Sequence, residues 1–227
     1  MRPLVSVIIP VHNGERYLAA ALESVFAQTY EPTEVFVVDD GSTDGTAMVA
    51  RGDPRVIYIY QPNQGVPVAR NAGIDRSTGE LLAFLDADDL WVPEKLTRQV
   101  AYLASHPEVS LTFTHQRLFL SSDTAEVPAW VRREQLGQDH PGYVPSAMVV
   151  RRGVFETVGR FNPAYRIGED SDWFFRARDA GVAMTVLPET LLLKRIHRTN
   201  LTSNVKDSQA GLLAAVRASL ARRRPAP

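Results

Sequence analysis

Short runs of β-branched and apolar residues alternate along this chain with longer stretches whose apolar positions recur at helical spacing. Residues 5–9 read as a strand, and residues 15–28 as a helix with Tyr17, Leu18, Ala21, Leu22, Val25 and Phe26 at that spacing. Residues 34–38 predict a second strand, followed by a Gly, Ser and Asp-rich loop over 39–45 that leads into a short helix. A third strand is expected over 56–60, a helix over 66–76 after Gly65, and a wholly apolar fourth strand over 81–85. Pro93 sits where a helix's first turn tolerates proline, and Leu96, Val100 and Leu103 give that helix an apolar face. Such alternation predicts an α/β fold, with a mostly parallel central sheet and helices as crossovers.

The second half is less regular. Residues 109–120 have strand character, whereas 121–142 are polar, carry Pro128 and Pro141 and show no period, which predicts a mobile loop. A buried strand is expected over 147–150, a helix over 168–180, and two further strands over 182–187 and 191–196. From Asp207 onward, Leu212, Leu213, Val216 and Leu220 form one stripe of a terminal helix that runs into Arg222, Arg223 and Arg224. Two readings stay open for that helix: docking onto the domain with its arginines solvated, or resting on an anionic membrane surface.

Composition narrows the classes. The chain has 227 residues, of which 44% are hydrophobic and 22% charged, so a packed core is expected and disorder is excluded. Lys plus Arg number 25 against 26 for Asp plus Glu, a net charge of -1 that lacks the basic field of nucleic-acid binders. Any charged-ligand chemistry must be local. The absence of cysteine removes disulfides, thiolate zinc sites and a cysteine nucleophile, and suits a reducing, cytoplasmic setting. The apolar run after Met1 and Arg2 is interrupted by Pro10 and followed by His12, Asn13, Gly14 and Glu15, which does not fit a secretion signal. Nor does any stretch reach the roughly 18 apolar residues of a membrane span.

Candidate chemistry gathers at one place. In open parallel sheets, ligands bind beyond the carboxyl ends of the strands. The first strand ends in Pro10, Val11, His12 and Asn13, the second in Asp39 and Asp40, and the fourth in Asp86, Ala87, Asp88 and Asp89. Aspartates collected on one edge repel unless a cation lies among them, which points to a hard divalent ion with oxygen ligands. Asp39 to Gly45 also reads as an ordinary turn, and Asp86 to Asp89 as a strand exit whose last aspartate caps a helix. An EF-hand is excluded by Leu90 and Trp91, and no Walker A or G-x-G-x-x-G pattern occurs.

Five segments together resemble family 2 glycosyltransferases of the GT-A fold, over about residues 5–202. They are Pro10-Val11-His12-Asn13-Gly14-Glu15, the segment from Val37 to Thr46, Ala69-Arg70-Asn71-Ala72-Gly73, Phe84-Leu85-Asp86-Ala87-Asp88-Asp89 and Gly168-Glu169-Asp170-Ser171-Asp172. The resemblance implies a single GT-A (Rossmann-like) catalytic domain over 1–227. Its nucleotide-sugar half would span 1–105, its acceptor half 106–205 and its C-terminal helix and basic tail 206–227.

By the same resemblance, the chain is an inverting enzyme that moves a sugar from a nucleotide-diphosphate sugar, a UDP-sugar by expectation, to an acceptor hydroxyl in polysaccharide biosynthesis. Pro10, His12, Asn13, Glu15, Asp40, Arg70, Asp86 and Ala87 would bind the donor, with Arg70 suited to bidentate phosphate contact. Asp88, Asp86 and His197, the last in Arg195-Ile196-His197, would hold Mn²⁺ or Mg²⁺. Asp170 would be the general base, with Asp172 as the fallback. The family usually has an aromatic residue where His12 stands. The acceptor would be a carbohydrate or lipid-linked molecule, with peripheral contact at the membrane's inner face through the terminal helix. Two other readings remain: a non-catalytic sugar-nucleotide-binding protein, and a haloacid-dehalogenase-type phosphotransferase, whose D-x-D lies on the first strand rather than the fourth.

Overall fold

The first apolar run forms β1 (Val5–Val11), buried along its whole length. Its side chains alternate between two cores: Val5, Val7, Ile9 and Val11 face one and Ile8 the other. A strand covered on both faces is near-continuously apolar, which is why this one is legible as a run rather than an alternation. The computed structural model describes residues 2–124 and 126–223.

From β1 the chain builds α1 (Leu18–Phe26), β2 (Thr33–Asp40), α2 (Thr46–Arg51), β3 (Val56–Gln61), α3 (Val66–Arg76) and β4 (Leu81–Phe84). These strands lie in the order β3, β2, β1, β4 and pair in parallel throughout. Beyond them come β5 (Leu90–Trp91), α4 (Lys95–Ser105), β6 (Leu111–Leu120), β7 (Asp139–Pro141) and β8 (Val149–Arg151). The last elements are α5 (Gly153–Val158), α6 (Glu169–Asp179), β9 (Met184–Ile196) and α7 (Val205–Arg222). The sheet continues as β8, β6, β9 and β5, with antiparallel pairs except for β6 beside β9, and β7 adds to β6. The sheet is mixed and mostly parallel, as expected. One core joins it to α1 and α4 through Leu18, Leu22, Leu96 and Val100; the other joins it to α3, α5 and α6 through Ile74, Phe155 and Trp173.

Several expectations need correction. The first helix begins at Leu18 rather than residue 15, because residues 12–15 are held by the loop after β2. The two late strands are one strand, β9: the register slips opposite Thr114 and His115, leaving Pro188 and Glu189 without partners. Proline has no amide hydrogen for the ladder, and a bulge is where a sheet tolerates it. The segment over 121–142, read as a loop, carries β7 and a turn of 3₁₀ helix over Arg133–Gln135. Val127, Trp130, Val131 and Leu136 close it over Leu118 and Ile196 as a small separate core.

Helix α7 docks on α6, and two glycines set how closely. A Cβ on Gly211 would run into the Ile167 carbonyl oxygen, and Gly168 opposite it has φ +90. Arg222 and Arg223 are exposed, as expected, and also paired, with their Nε atoms 3.1 Å and 2.7 Å from Asp179. Arg224 of the basic tail lies outside the described residues. No helix among the described residues is long and apolar enough to cross a membrane.

Candidate active site

The carboxyl ends of β1, β2 and β4 meet as the strand order requires. Pro10 is accommodated because β4 pairs with β1 only as far as Ile8, so the missing amide faces a side where no strand remains. Beyond it, the 12–15 loop is stitched to the loop after β2. Asn13 takes φ 52, a left-handed value asparagine tolerates. Its amide donates to Ser42 Oγ at 2.8 Å, and its Oδ1 accepts from the Thr43 amide at 2.8 Å. Glu15 accepts from the Gly45 amide at 2.9 Å, and its own amide donates to Asp44 at 3.1 Å. His12 Nδ1 lies 2.9 Å from the Asp40 carbonyl, an acceptor, so that nitrogen carries the hydrogen. Its ring is exposed at the mouth of this wall, and Ala87 packs beneath Gly14.

Asp39 and Asp40 are buried. Asp39 accepts from the Ser42 amide at 2.8 Å and the Tyr58 hydroxyl at 2.6 Å; burial, then this bond, push Tyr58 up to about 12. Asp40, expected to hold the nucleotide, accepts from Gln61 Nε2 and from the amides of Gln64 and Gly65 at 2.7–2.9 Å. These three donors fill most of a carboxylate's capacity, so Asp40 and Glu15 both serve the loops that shape the wall.

The acidic run after β4 separates into three fates. Asp86 turns to Arg70, whose Nη2 is 2.8 Å away, and to Lys194 Nζ at 3.8 Å. Burial raises its pKa and Arg70 and Lys194 lower it, leaving it below the ordinary carboxylate value. Asp89 is wholly buried, 3.1 Å from Lys194 Nζ and 3.0 Å from the Arg195 amide. Asp88 keeps an open side, at 25% exposure against 28% for Asp86; its Oδ2 lies 2.8 Å from His197 Nε2 and 3.1 Å from Asn200 Nδ2. Asp88 and His197 therefore come together as expected of metal ligands, and Asp86 does not join them. The repulsion that seemed to demand a metal is met largely by Lys194, which was not singled out in the sequence and whose ammonium three carboxylates hold charged.

Arg70 corrects a second expectation. It is 4% exposed, with Nη1 2.5 Å from Glu169 and Nη2 2.8 Å from Asp86, so both terminal nitrogens are engaged and no fork is left for phosphate. It serves as a buried clamp between the β4 exit and the start of α6. That clamp brings Asp170 to the same edge: it is half-buried in the first turn of α6, with Oδ1 accepting the Ser171 amide at 2.6 Å. The fallback base does not reach the cleft. Asp172 is buried, 2.8 Å from Arg176 Nε and 4.0 Å from Arg222 Nη1, on the side facing α7.

Ser146 and Asn200 also went unnoticed in the sequence. Ser146 Oγ accepts the Asp86 amide at 3.0 Å, fixing the direction of the strand exit. Asn200 Oδ1 accepts the His197 amide at 2.7 Å and orients the ring's residue from below. Neither lies in a pattern, because each acts across more than one element.

The sequence and the fold are similar to those of known proteins. Residues 6–159 match the family described as Glycosyl transferase family 2. An uncharacterised glycosyltransferase of Nostoc sp. is 34% identical over 213 residues, 86% of this chain and 66% of the relative. Another, from Rickettsia typhi, is 30% identical over 220 residues, 88% of this chain and 66% of its own length. The chain thus spans just under two thirds of the length of both relatives. Among solved structures, S. aureus TarS in complex with UDP-GlcNAc superposes with a TM-score of 0.75 at 20% identity, covering 96% of this chain and 66% of TarS. The mannosyltransferase PcManGT of Pyrobaculum calidifontis, in complex with GDP-Man and Mn²⁺, gives 0.74 at 25% identity over 100% of this chain and 66% of PcManGT. Those likenesses agree in fold with a match covering more than half of the sequence: the chain belongs to glycosyl transferase family 2 and adopts the GT-A fold.

Proposed function

We propose that this chain is an inverting glycosyltransferase that moves a sugar from a nucleotide-diphosphate sugar to an acceptor hydroxyl. The observation that carries the reading is the meeting, on one sheet edge, of the Asp88–His197 pair and the Asp170 turn, joined by the Arg70 clamp. The wall built from residues 10–15 and 40–46 would take the nucleotide, with the His12 ring against the base. UDP is our choice of donor base, with GDP as the alternative that the PcManGT complex suggests.

Asp88 and His197 would hold Mn²⁺ or Mg²⁺. Two protein donors with an open side suit a hard ion that completes its shell with water and substrate phosphate oxygens. Among the described residues no third His, Asp or Glu closes that shell. When bound, the ion would neutralise the charge of the departing diphosphate. Asp170 takes the proton of the acceptor hydroxyl, and that oxygen forms its bond to the anomeric carbon as the bond from that carbon to the diphosphate oxygen breaks. Arg70 and Lys194 keep Asp86 ionised and turned to them, while burial pushes Asp89 up to about 7 despite Lys194, which leaves Asp88 and Asp170 for the chemistry.

The acceptor is a carbohydrate or a lipid-linked saccharide in our reading, and the protein works in the cytoplasm. Residues 1–227 act as one catalytic unit. The exposed side chains of Leu212, Leu213 and Leu220 on α7 support peripheral contact with the membrane's inner face. The test of the donor site is a thermal-shift panel of UDP, GDP and their sugars with Mn²⁺, repeated with chelator. Stabilisation by one nucleotide that disappears with chelator is expected. Equal stabilisation with and without chelator refutes metal-bridged binding.

A further inference from the structure

His197 is oriented by more than its sequence neighbours. Its Nε2 faces Asp88 at 2.8 Å, and its Nδ1 lies 2.9 Å from Thr199 Oγ1, which fixes the ring within its own plane. The face of the imidazole is covered by Tyr17 from the start of α1, with ring centroids 4.8 Å apart and planes inclined at 32°. The Arg195 guanidinium lies 5.0 Å from the same tyrosine ring and 4.7 Å from Phe119, while its Nε donates to the Asp88 carbonyl at 2.9 Å. Arg16 lies 5.6 Å from the same ring, and two of the three side chains that flank it, His197 and Arg195, bond to Asp88.

The hydroxyl of Tyr17 points elsewhere. It donates to Asp123 Oδ2 at 3.4 Å and accepts from Ser121 Oγ at 3.5 Å, at the first residues of the segment over 121–142. Asp123 is also held by Arg16, the preceding residue, at 2.6 Å. One side chain therefore touches the imidazole and the start of the 121–142 segment, which lies within the expected acceptor half.

We propose that Tyr17 is a positioning residue: its ring fixes the tilt of the His197 imidazole toward Asp88, and its hydroxyl ties that imidazole to the 121–124 turn. This inference rests on the reading of Asp88 and His197 as metal ligands. Partners that orient a ligating histidine change metal affinity by about 10- to 100-fold when removed. Polar contacts at Thr199, Asp88 and Asn200 hold the two ring nitrogens, and rotation about the axis through them is resisted by what covers the ring's faces, Tyr17 among them.

The test compares wild type, Tyr17→Phe and Tyr17→Leu by two readouts, after melting curves confirm that each is folded. In metal-free protein, the His197 ring protons should resonate upfield because of the tyrosine ring current. Tyr17→Phe should keep that displacement and Tyr17→Leu should lose it. With Mn²⁺ alone, followed by the fading of the free-ion electron spin resonance signal, Tyr17→Phe should bind within about twofold of wild type and Tyr17→Leu about tenfold more weakly. Hydrogen exchange at residues 121–124 should rise in both variants. Unmoved His197 resonances and unchanged Mn²⁺ affinity in Tyr17→Leu overturn the positioning role. A wild type that takes up no Mn²⁺ overturns the metal reading instead, and the resonance arm still decides the role of Tyr17.

Discussion

At the scale of single residues, the site is a problem of compensating charge. Asp86, Asp88 and Asp89 follow one another out of an apolar strand, and such a group needs cations within a few ångströms. The fold supplies two of them, Arg70 from α3 and Lys194 from β9, before any metal is considered. Burial pushes Asp89 up to about 7 even beside Lys194, so at pH 8 Lys194→Met leaves it with an uncompensated charge, and we expect a loss of about 3–5 kcal/mol in urea unfolding at that pH. A variant as stable as wild type would show that Asp89 is protonated in the native protein. The aspartates were legible because they form a pattern next to a strand. Lys194, Ser146, Asn200 and Tyr17 were not, since nothing local distinguishes a lysine that reaches back 105 positions. Arg70 was noticed for its chemistry but misread in its task. A guanidinium suits phosphate and carboxylate equally, and only the arrival of Glu169 decides between them.

At the scale of elements, most strands and helices could be read from period because burial on two faces imposes it. The failures lie where tertiary pairing overrides local signals: β5 is two residues long, and β9 runs through Pro188 by means of a bulge. Helix α4 shows a different kind of conflict. Its apolar face was correctly expected, yet Lys95 on the same helix is fully buried, with Nζ lacking any hydrogen-bond partner and 4.2 Å from the Trp91 ring centroid. Burial drives its pKa well below the usual lysine value. Below an unfolded-state pKa of about 10.4, the unfolded chain therefore binds a proton that the native state does not favour, so stability rises with pH. Lys95→Met should raise stability near neutral pH by about 1–3 kcal/mol, and the gain should shrink as pH approaches about 10. Denaturant titrations at two pH values check this. A destabilised variant would mean that the Trp91 contact outweighs the burial cost.

At the scale of the whole molecule, a net charge of -1 conceals a strongly uneven distribution. Acidic groups line the sheet edge, while α7 presents Lys206 and Arg217 beside exposed Leu212, Leu213 and Leu220. If that helix rests on an anionic surface, Leu213→Asp should reduce sedimentation with phosphatidylserine vesicles while leaving the fold intact. Equal sedimentation of variant and wild type removes the membrane contact. The central claim concerns chemistry at the N-terminal end of α6, where Asp170 opens the helix that Asp172 and Asp179 tie to α7. The most direct measurement is sugar transfer, with the donor found in the thermal-shift panel, by wild type, Asp170→Asn and Asp172→Asn. The account predicts that Asp170→Asn loses transfer by about 10²- to 10⁴-fold while its donor-induced stabilisation is unchanged. It predicts that a folded Asp172→Asn protein still transfers. Full transfer by a folded Asp170→Asn protein would contradict the account.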